Sequence, residues 1–298
     1  MSRITEGHLV RHYQGAKGGR DAALLDIAQD HALFLLHQAG LFEQGLIFKG
    51  GTALRKFRAG NSGRFSTDLD FTAPGDDLPF AALEALDGAG LDGFSFAVEN
   101  LGDDGRRGDL RIETPFGRPN LGAKIELARH SLSLTPDVLD SIRLPIHSRY
   151  DFTVPPTPVI RTEEAIAEKL ARFRRVSLAR DLYDLQWYAT NGIMNEPLVR
   201  RLWVLKVYRD VVADSRGTPP IEPDDILAAR TSSDFRPEDI GYLTKPVRVD
   251  EWIATVRTRY AFLADLDADE YRWTQCNGGD RYEVETTLAT IEPTKRHP

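Results

Sequence analysis

Apolar and polar positions along this chain follow two different periods, and the change between them divides it. Over 21–39, Leu24, Leu25, Ala28, Ala32, Leu35 and Leu36 recur at helical spacing, with Asp21 placed to cap a helix and Gly40 to stop it. The run Leu46-Ile47-Phe48 reads as a strand. After it, Asp68-Leu69-Asp70-Phe71 alternates with period two, sending both carboxylates to one strand face while Leu69 and Phe71 enter a core. Pro74-Gly-Asp-Asp predicts a turn, 78–91 a helix, 94–100 a strand, 103–108 a charged hairpin loop and 110–114 the returning strand. Over 122–127 another short strand is expected, with Lys124 and Glu126 on one face and Ile125 and Leu127 on the other. The expected class is α+β, a mixed sheet with helices on a face.

Val154-Pro-Pro-Thr-Pro158 is too rich in proline for a helix or an inner strand. It reads as the boundary between an α/β domain at 1–153 and a mainly helical domain at 159–298 that closes a cleft. In the second part, Thr162 can cap a helix with Glu163 and Glu164 in its first turn and Ile166, Leu170 and Phe173 as its buried stripe. Further helices are expected over 179–190, 197–212 and 250–263. The tail after Asn277-Gly-Gly-Asp reads as a strand or loop.

Composition narrows the function classes. With 298 residues and 41% hydrophobic content, the chain can bury a sizeable core and divide into two subdomains. Its single cysteine, Cys276, excludes an intrachain disulfide and a cysteine-rich zinc site and fits a reducing compartment, so the cytoplasm is the expected address. The first residues lack the apolar stretch of a signal peptide, and no apolar run approaches membrane-spanning length. A formal net charge of −7 argues against coating nucleic acid through bulk charge. Local basic clusters remain: Arg55, Lys56, Arg58 and Arg64; Arg172, Arg174, Arg175 and Arg180; Arg200, Arg201, Lys206 and Arg209. They are either solvated helix faces or contacts for a polyanionic substrate.

The candidate chemistry lies in 46–72. Two glycines and a hydroxyl residue after a strand, Gly50, Gly51 and Thr52, bring backbone N–H groups against an anion, and a Cβ would block that approach; these residues are the expected triphosphate contacts. Carboxylates two apart in a strand lie about 6.5–7 Å apart along it and can converge on a pair of divalent ions. All-oxygen ligation suits Mg²⁺, so Asp68 and Asp70 are the expected metal ligands. Lys169 projects about 60° from the stripe of its helix, at the edge of a buried face, where it can reach a cleft or pair with Glu164 or Glu168. Asp181 and Asp184 share one face of the next helix with Tyr188, and Asp181 can equally cap that helix or pair with Arg180. No H-E-x-x-H or Gly-x-Ser-x-Gly pattern supports a hydrolase.

Gly-Gly-Thr, a basic loop and Ser-x-Asp-x-Asp together resemble the first motif of the DNA polymerase β-like nucleotidyltransferases. With Phe48-Lys-Gly-Gly-Thr-Ala-Leu-Arg, the later Lys169-Leu170 and Arg180-Asp-Leu-Tyr-Asp184-Leu, the chain is most similar to the AbiEii/MenT-type toxins of bacterial type IV toxin–antitoxin systems. The resemblance implies transfer of NMP from an NTP to an acceptor hydroxyl. RNA, in particular the tRNA 3′ end, is the preferred acceptor, with a block of translation as the outcome and a separately encoded antitoxin as partner. It also maps the family's later functional Lys and Asp onto Lys169 and Asp184, aligns Ser66 with the hydroxyl before the first Asp, and suggests Glu126 as a third carboxylate and metal ligand. A surface Glu126 paired with Lys124 is the alternative. Two rival functions share the motif: transfer to a small molecule or a protein hydroxyl, and a non-catalytic nucleotide-sensing or interaction protein.

Overall fold

The computed structural model describes residues 4–15, 19–117 and 120–291. Two compact units emerge: Met1–Leu132 with Pro136–Ile160 and Gly241–Pro246, and Ser133–Thr135 with Arg161–Ile240 and Val247–Pro298.

The first unit carries a mixed sheet. In chain order its strands are β1 (Ile47–Lys49), β2 (Leu69–Thr72), β3 (Gly90–Leu91), β4 (Phe94–Glu99), β5 (Arg107–Glu113), β6 (Leu121–Ala128), β7 (Asp137–Leu139) and β8 (Thr157–Val159), arranged β3-β4-β5-β6-β2-β1-β8-β7. Helices α1 (Glu6–His12), α2 (Gly19–Gln38), α3 (Gly50–Leu54) and α4 (Asp77–Glu84) flank it. Strict alternation makes the sheet two-faced. Leu69, Phe71, Leu110, Ile112, Ile125 and Leu127 are buried on one side, while Arg107, Lys124 and Glu126 are exposed on the other. The Phe48 and Phe71 rings meet on the apolar side at 5.0 Å between centroids.

The sequence pattern predicts a helix over 78–91; α4 ends at Glu84, and Gly90–Leu91 instead pairs with β4. The proline-rich segment is a second correction. Thr157–Val159 is an inner strand, parallel to β1 and antiparallel to β7. Ile160 N donates to Phe48 O at 3.0 Å, so the nitrogen of Pro158, two residues earlier, faces the same neighbour. Pairing with β1 starts only at Phe48 opposite Val159, and the missing N–H therefore leaves no gap in the ladder.

The second unit is helical: α5 (Thr162–Arg175), α6 (Ala179–Asn191), α7 (Glu196–Val212), α8 (Asp224–Leu227), α9 (Val249–Arg259), α10 (Ala268–Thr274) and α11 (Arg281–Thr290). Helix α7 is buried all round, through its own Leu202, Trp203, Val204, Leu205, Val207 and Tyr208, which makes it the central helix of this unit. The tail read as strand or loop is α11, with Val284 and Leu288 buried; 292–298 lies outside the described residues. Among the described residues no helix is long and apolar enough to cross a membrane.

Candidate active site

The turn from β1 into α3 is built on the two glycines. Gly50 has φ +80, a conformation that disfavours a side chain, and a Cβ there would collide with the Asp70 carboxylate. Gly51 is restricted by its neighbours instead: a Cβ would run into the Arg64 guanidinium and come within 3.0 Å of Ser66 Oγ. The pair thus gathers Asp70, Arg64 and Ser66 around one short backbone stretch. Arg64 had only a flanking basic role in the sequence. Its place directly before Phe-Ser-Thr-Asp68 was the available signal, and its burial against Gly51 is tertiary information.

The aspartates are held from behind. Thr52 is fully buried and its hydroxyl donates to Asp68 O at 2.5 Å, so it anchors the backbone that carries Asp68 rather than standing open to a ligand. Thr67 Oγ1 donates to Asp68 Oδ1 at 2.9 Å, and Gln29 Nε2 donates to Ser66 O at 2.9 Å. Asp68 and Asp70 are both half-buried, able to meet solvent and a ligand.

Pairing across the sheet sets two neighbouring acids between two bases. Lys49 stands opposite Asp70, Asp70 opposite Glu126, and Glu126 opposite Arg107. Glu126 lies on the same face as Asp70, and its ion-pair partner is Arg107, at 3.3 Å, rather than Lys124. Both members are about half exposed, at 59% and 48%, so the pair restrains Glu126 only weakly. Among the described residues no three acidic, histidine or cysteine side chains converge as a preformed metal cage. The donor chemistry still fits Mg²⁺, which commonly takes one or two carboxylates and completes its shell with waters and substrate phosphates.

A buried ionic network, unread in the sequence, underlies the glycine turn. Asp26 accepts from Arg55 Nε at 2.8 Å and contacts His12 Nε2 at 2.8 Å. Lys56 Nζ bridges Asp26 O and Asp30 Oδ1, each at 2.7 Å, and Tyr150 donates to Asp30 Oδ2 at 2.7 Å. Burial would raise the Asp30 pKa, but Lys56 and then His147 outweigh it and bring it down to about 2. Asp26 is also held well below the usual carboxylate range, the charges of Arg55 and Lys56 and the His12 hydrogen bond overcoming its burial. Two of the arginines and lysines flanking the motif thus face inward. A third, Arg58, pairs with Asp137 at 2.8 Å.

In the second unit, Lys169 on α5 meets Asp184 on α6, Nζ to Oδ2 at 2.7 Å. Asp184 is 1% and Lys169 9% exposed. Glu164 and Glu168 pair instead with Lys206, at 2.7 Å and 3.3 Å. Asp181 is buried near Arg172 at 3.3 Å, not paired with Arg180, and the helix cap is Leu178. The basic clusters are likewise engaged: Arg174 with Asp225, Arg175 with Asp210 and Arg200 with Glu270.

Known proteins resemble this chain over most of its length. The family described as Nucleotidyl transferase AbiEii toxin, Type IV TA system, matches residues 33–275. Among solved structures, MenT4, a nucleotidyltransferase toxin from Mycobacterium tuberculosis, is 51% identical with a TM-score of 0.90, over 97% of this chain and 100% of that one. JHP933 from Helicobacter pylori, at 16% identity and a TM-score of 0.43 over 89% of this chain and 97% of its own, is too distant to carry an argument. A search of curated proteins returns no match. Glycine turn, paired aspartates and matched family span converge: the chain is a nucleotidyltransferase and belongs to the AbiEii toxin family of type IV toxin–antitoxin systems.

Proposed function

We propose that this toxin transfers NMP from an NTP to the 3′ end of tRNA and thereby blocks translation. The observation that carries the reading is the seating of Gly50 on the Asp70 carboxylate with Arg64 and Ser66 over Gly51, which puts anion-binding groups and metal-binding carboxylates within one turn. In this reading Gly50, Gly51, Ser66 and Arg64 line the triphosphate, and Thr52 acts on Asp68 as a positioning residue. Asp68 and Asp70 would hold Mg²⁺, with Glu126 as the third carboxylate facing the acceptor. The metal would neutralise charge developing on the phosphates.

The acceptor oxygen attacks the α-phosphorus, the bond between that phosphorus and the bridging oxygen breaks, and pyrophosphate leaves. Glu126, opposite Asp70, is assigned to receive the hydroxyl proton. The family resemblance assigns a functional role to Lys169, which its ion pair with Asp184 aligns, and Asp181 lies on the same helix as Asp184. Family membership implies NTP as substrate and a separately encoded antitoxin as partner. The test incubates the protein with each α-labelled NTP, Mg²⁺ and total RNA. Label on tRNA 3′ ends supports the reading. Label confined to protein or to small molecules overturns the RNA acceptor and favours the corresponding rival.

A further inference from the structure

The carboxylates on β2 have unlike surroundings on their two sides. Toward β1, Gly50, Gly51, Arg64 and Ser66 close in around Asp70. Toward β6 the polar face of the sheet is open: a cavity of about 610 Å³ adjoins Asp68 and is lined by Asn100, Asp109, Arg111, Asn120 and Lys124. Gly122 contributes to its floor, and a Cβ there would meet nothing within 4 Å.

Most polar groups in this cavity are already satisfied. Arg111 donates to Glu99 at 2.7 Å and to Glu113 at 2.6 Å, and Asn100 donates to Asp109 at 2.8 Å. Lys124 is different. It stands opposite Asp109 in register, is exposed, and among the described residues its side chain makes no ion pair or hydrogen bond. An unneutralised ammonium therefore shares a cavity with Asp68, on the side of β2 away from the glycines.

In an in-line phosphoryl transfer, attacking and leaving oxygens stand on opposite sides of the phosphorus. A nucleotide whose phosphates rest on the glycines leaves the other flank of the aspartates to the acceptor. We propose that the cavity over β5 and β6 is the acceptor subsite, in which Lys124 holds a backbone phosphate near the end of the acceptor RNA. This rests on the RNA reading above. Asn100, Asn120 and Asp109 present amide and carboxylate groups suited to ribose hydroxyls and base edges, while a backbone contact from Lys124 sets position without reading sequence.

The experiment compares wild type with Lys124→Met, Lys124→Glu and Lys124→Arg in labelled-NTP transfer, varying RNA at saturating NTP and NTP at saturating RNA. Loss of one phosphate contact predicts a rise of about tenfold in the RNA KM for Lys124→Met, irrespective of RNA sequence, with a salt dependence weaker by about one ion. Lys124→Glu should raise that KM further and Lys124→Arg should nearly restore it, with the NTP KM held within about twofold. An unchanged RNA KM in Lys124→Glu, or a rise confined to the NTP KM, overturns the proposal. Absence of RNA labelling by wild type instead removes the RNA reading itself, and the subsite assignment with it. Lys124 is solvent-exposed, so equal melting temperatures verify that the variants fold.

Discussion

Each glycine at the turn is specified by what lies against it. Gly50→Ala would force φ +80 on a side chain and drive its Cβ into Asp70, at a cost of about 1–3 kcal/mol for the backbone alone. A lowered melting temperature and loss of transfer are expected. Adding Asp70→Ala removes the carboxylate and leaves only the Asp70 Cβ at 3.0 Å, so the double variant should melt above Gly50→Ala while remaining inactive; equal melting would disprove the contact. Asp68→Ala and Asp70→Ala should each lower transfer by at least about a hundredfold with little change in melting, because both carboxylates are half-buried on a sheet face rather than in the core. Full turnover by either purified variant would remove it from the metal site. Lys169 differs from what its helix position suggests. Helical phase predicts an edge lysine whose truncation spares stability, yet its ammonium is matched to a buried Asp184. Truncation to alanine removes the cation from that buried carboxylate, a cost of up to about 3–5 kcal/mol, so stability and activity should fall together. Lys169→Met with Asp184→Asn should recover much of the melting temperature and none of the activity.

Among the elements, α2 departs most from its amphipathic pattern. The stripe Leu24, Leu25, Ala28, Ala32 is buried, but so are Asp26, Gln29, Asp30 and His31 between them. Acids four apart inside an apolar helix, with Arg55-Lys56 downstream, were a legible sign of a buried ionic cluster; which cation met which acid was not. The helical segment after Gly50 supplies those cations, since a π-helical turn over Arg55–Ala59 continues α3 and both Arg55 and Lys56 are buried. The network predicts an acid transition of known sign. Asp26 and Asp30 have depressed folded pKa values, Asp30 near 2, so they bind fewer protons than the unfolded chain does. The stability they contribute is complete above the unfolded carboxylate range of about 4 and is lost as pH falls through the folded values. Urea midpoints should therefore drop steeply from about pH 4 toward 2. Asp30→Asn should make that drop shallower; an identical slope would show that other groups govern it.

For the molecule as a whole, charge is arranged more for internal pairing than for binding. Arg58, Arg174, Arg175 and Arg200, basic clusters in the sequence, each face an acid in the structure. With a net charge of −7 and these arginines committed to acids, productive RNA binding should involve few phosphates. A plot of log apparent affinity against log salt should then have a slope of about −2, as roughly three single-strand phosphate contacts give, rather than the steep slope of a protein using every cluster. Filter binding across a salt series measures it, and a slope steeper than about −6 would return the arginine clusters to the interface.

What the sequence determined by itself is local. A period of two places Asp68 and Asp70 on one face and Lys124 with Glu126 on another strand's open face, because alternation follows from backbone geometry alone. The glycine pair announced close approach, and the order of its motifs was sufficient to suggest the family that the comparisons establish. What only the tertiary structure decided is partnership across distance in the chain: Asp70 against Gly50, Arg64 over Gly51, Thr52 on the Asp68 carbonyl, Lys169 with Asp184, and the proline-bearing β8 beside β1. Charged side chains of one type are interchangeable in a sequence pattern, and a strand's neighbours are set by the packing of the whole sheet. Both are therefore settled only when the core forms and dictates which polar groups are enclosed together.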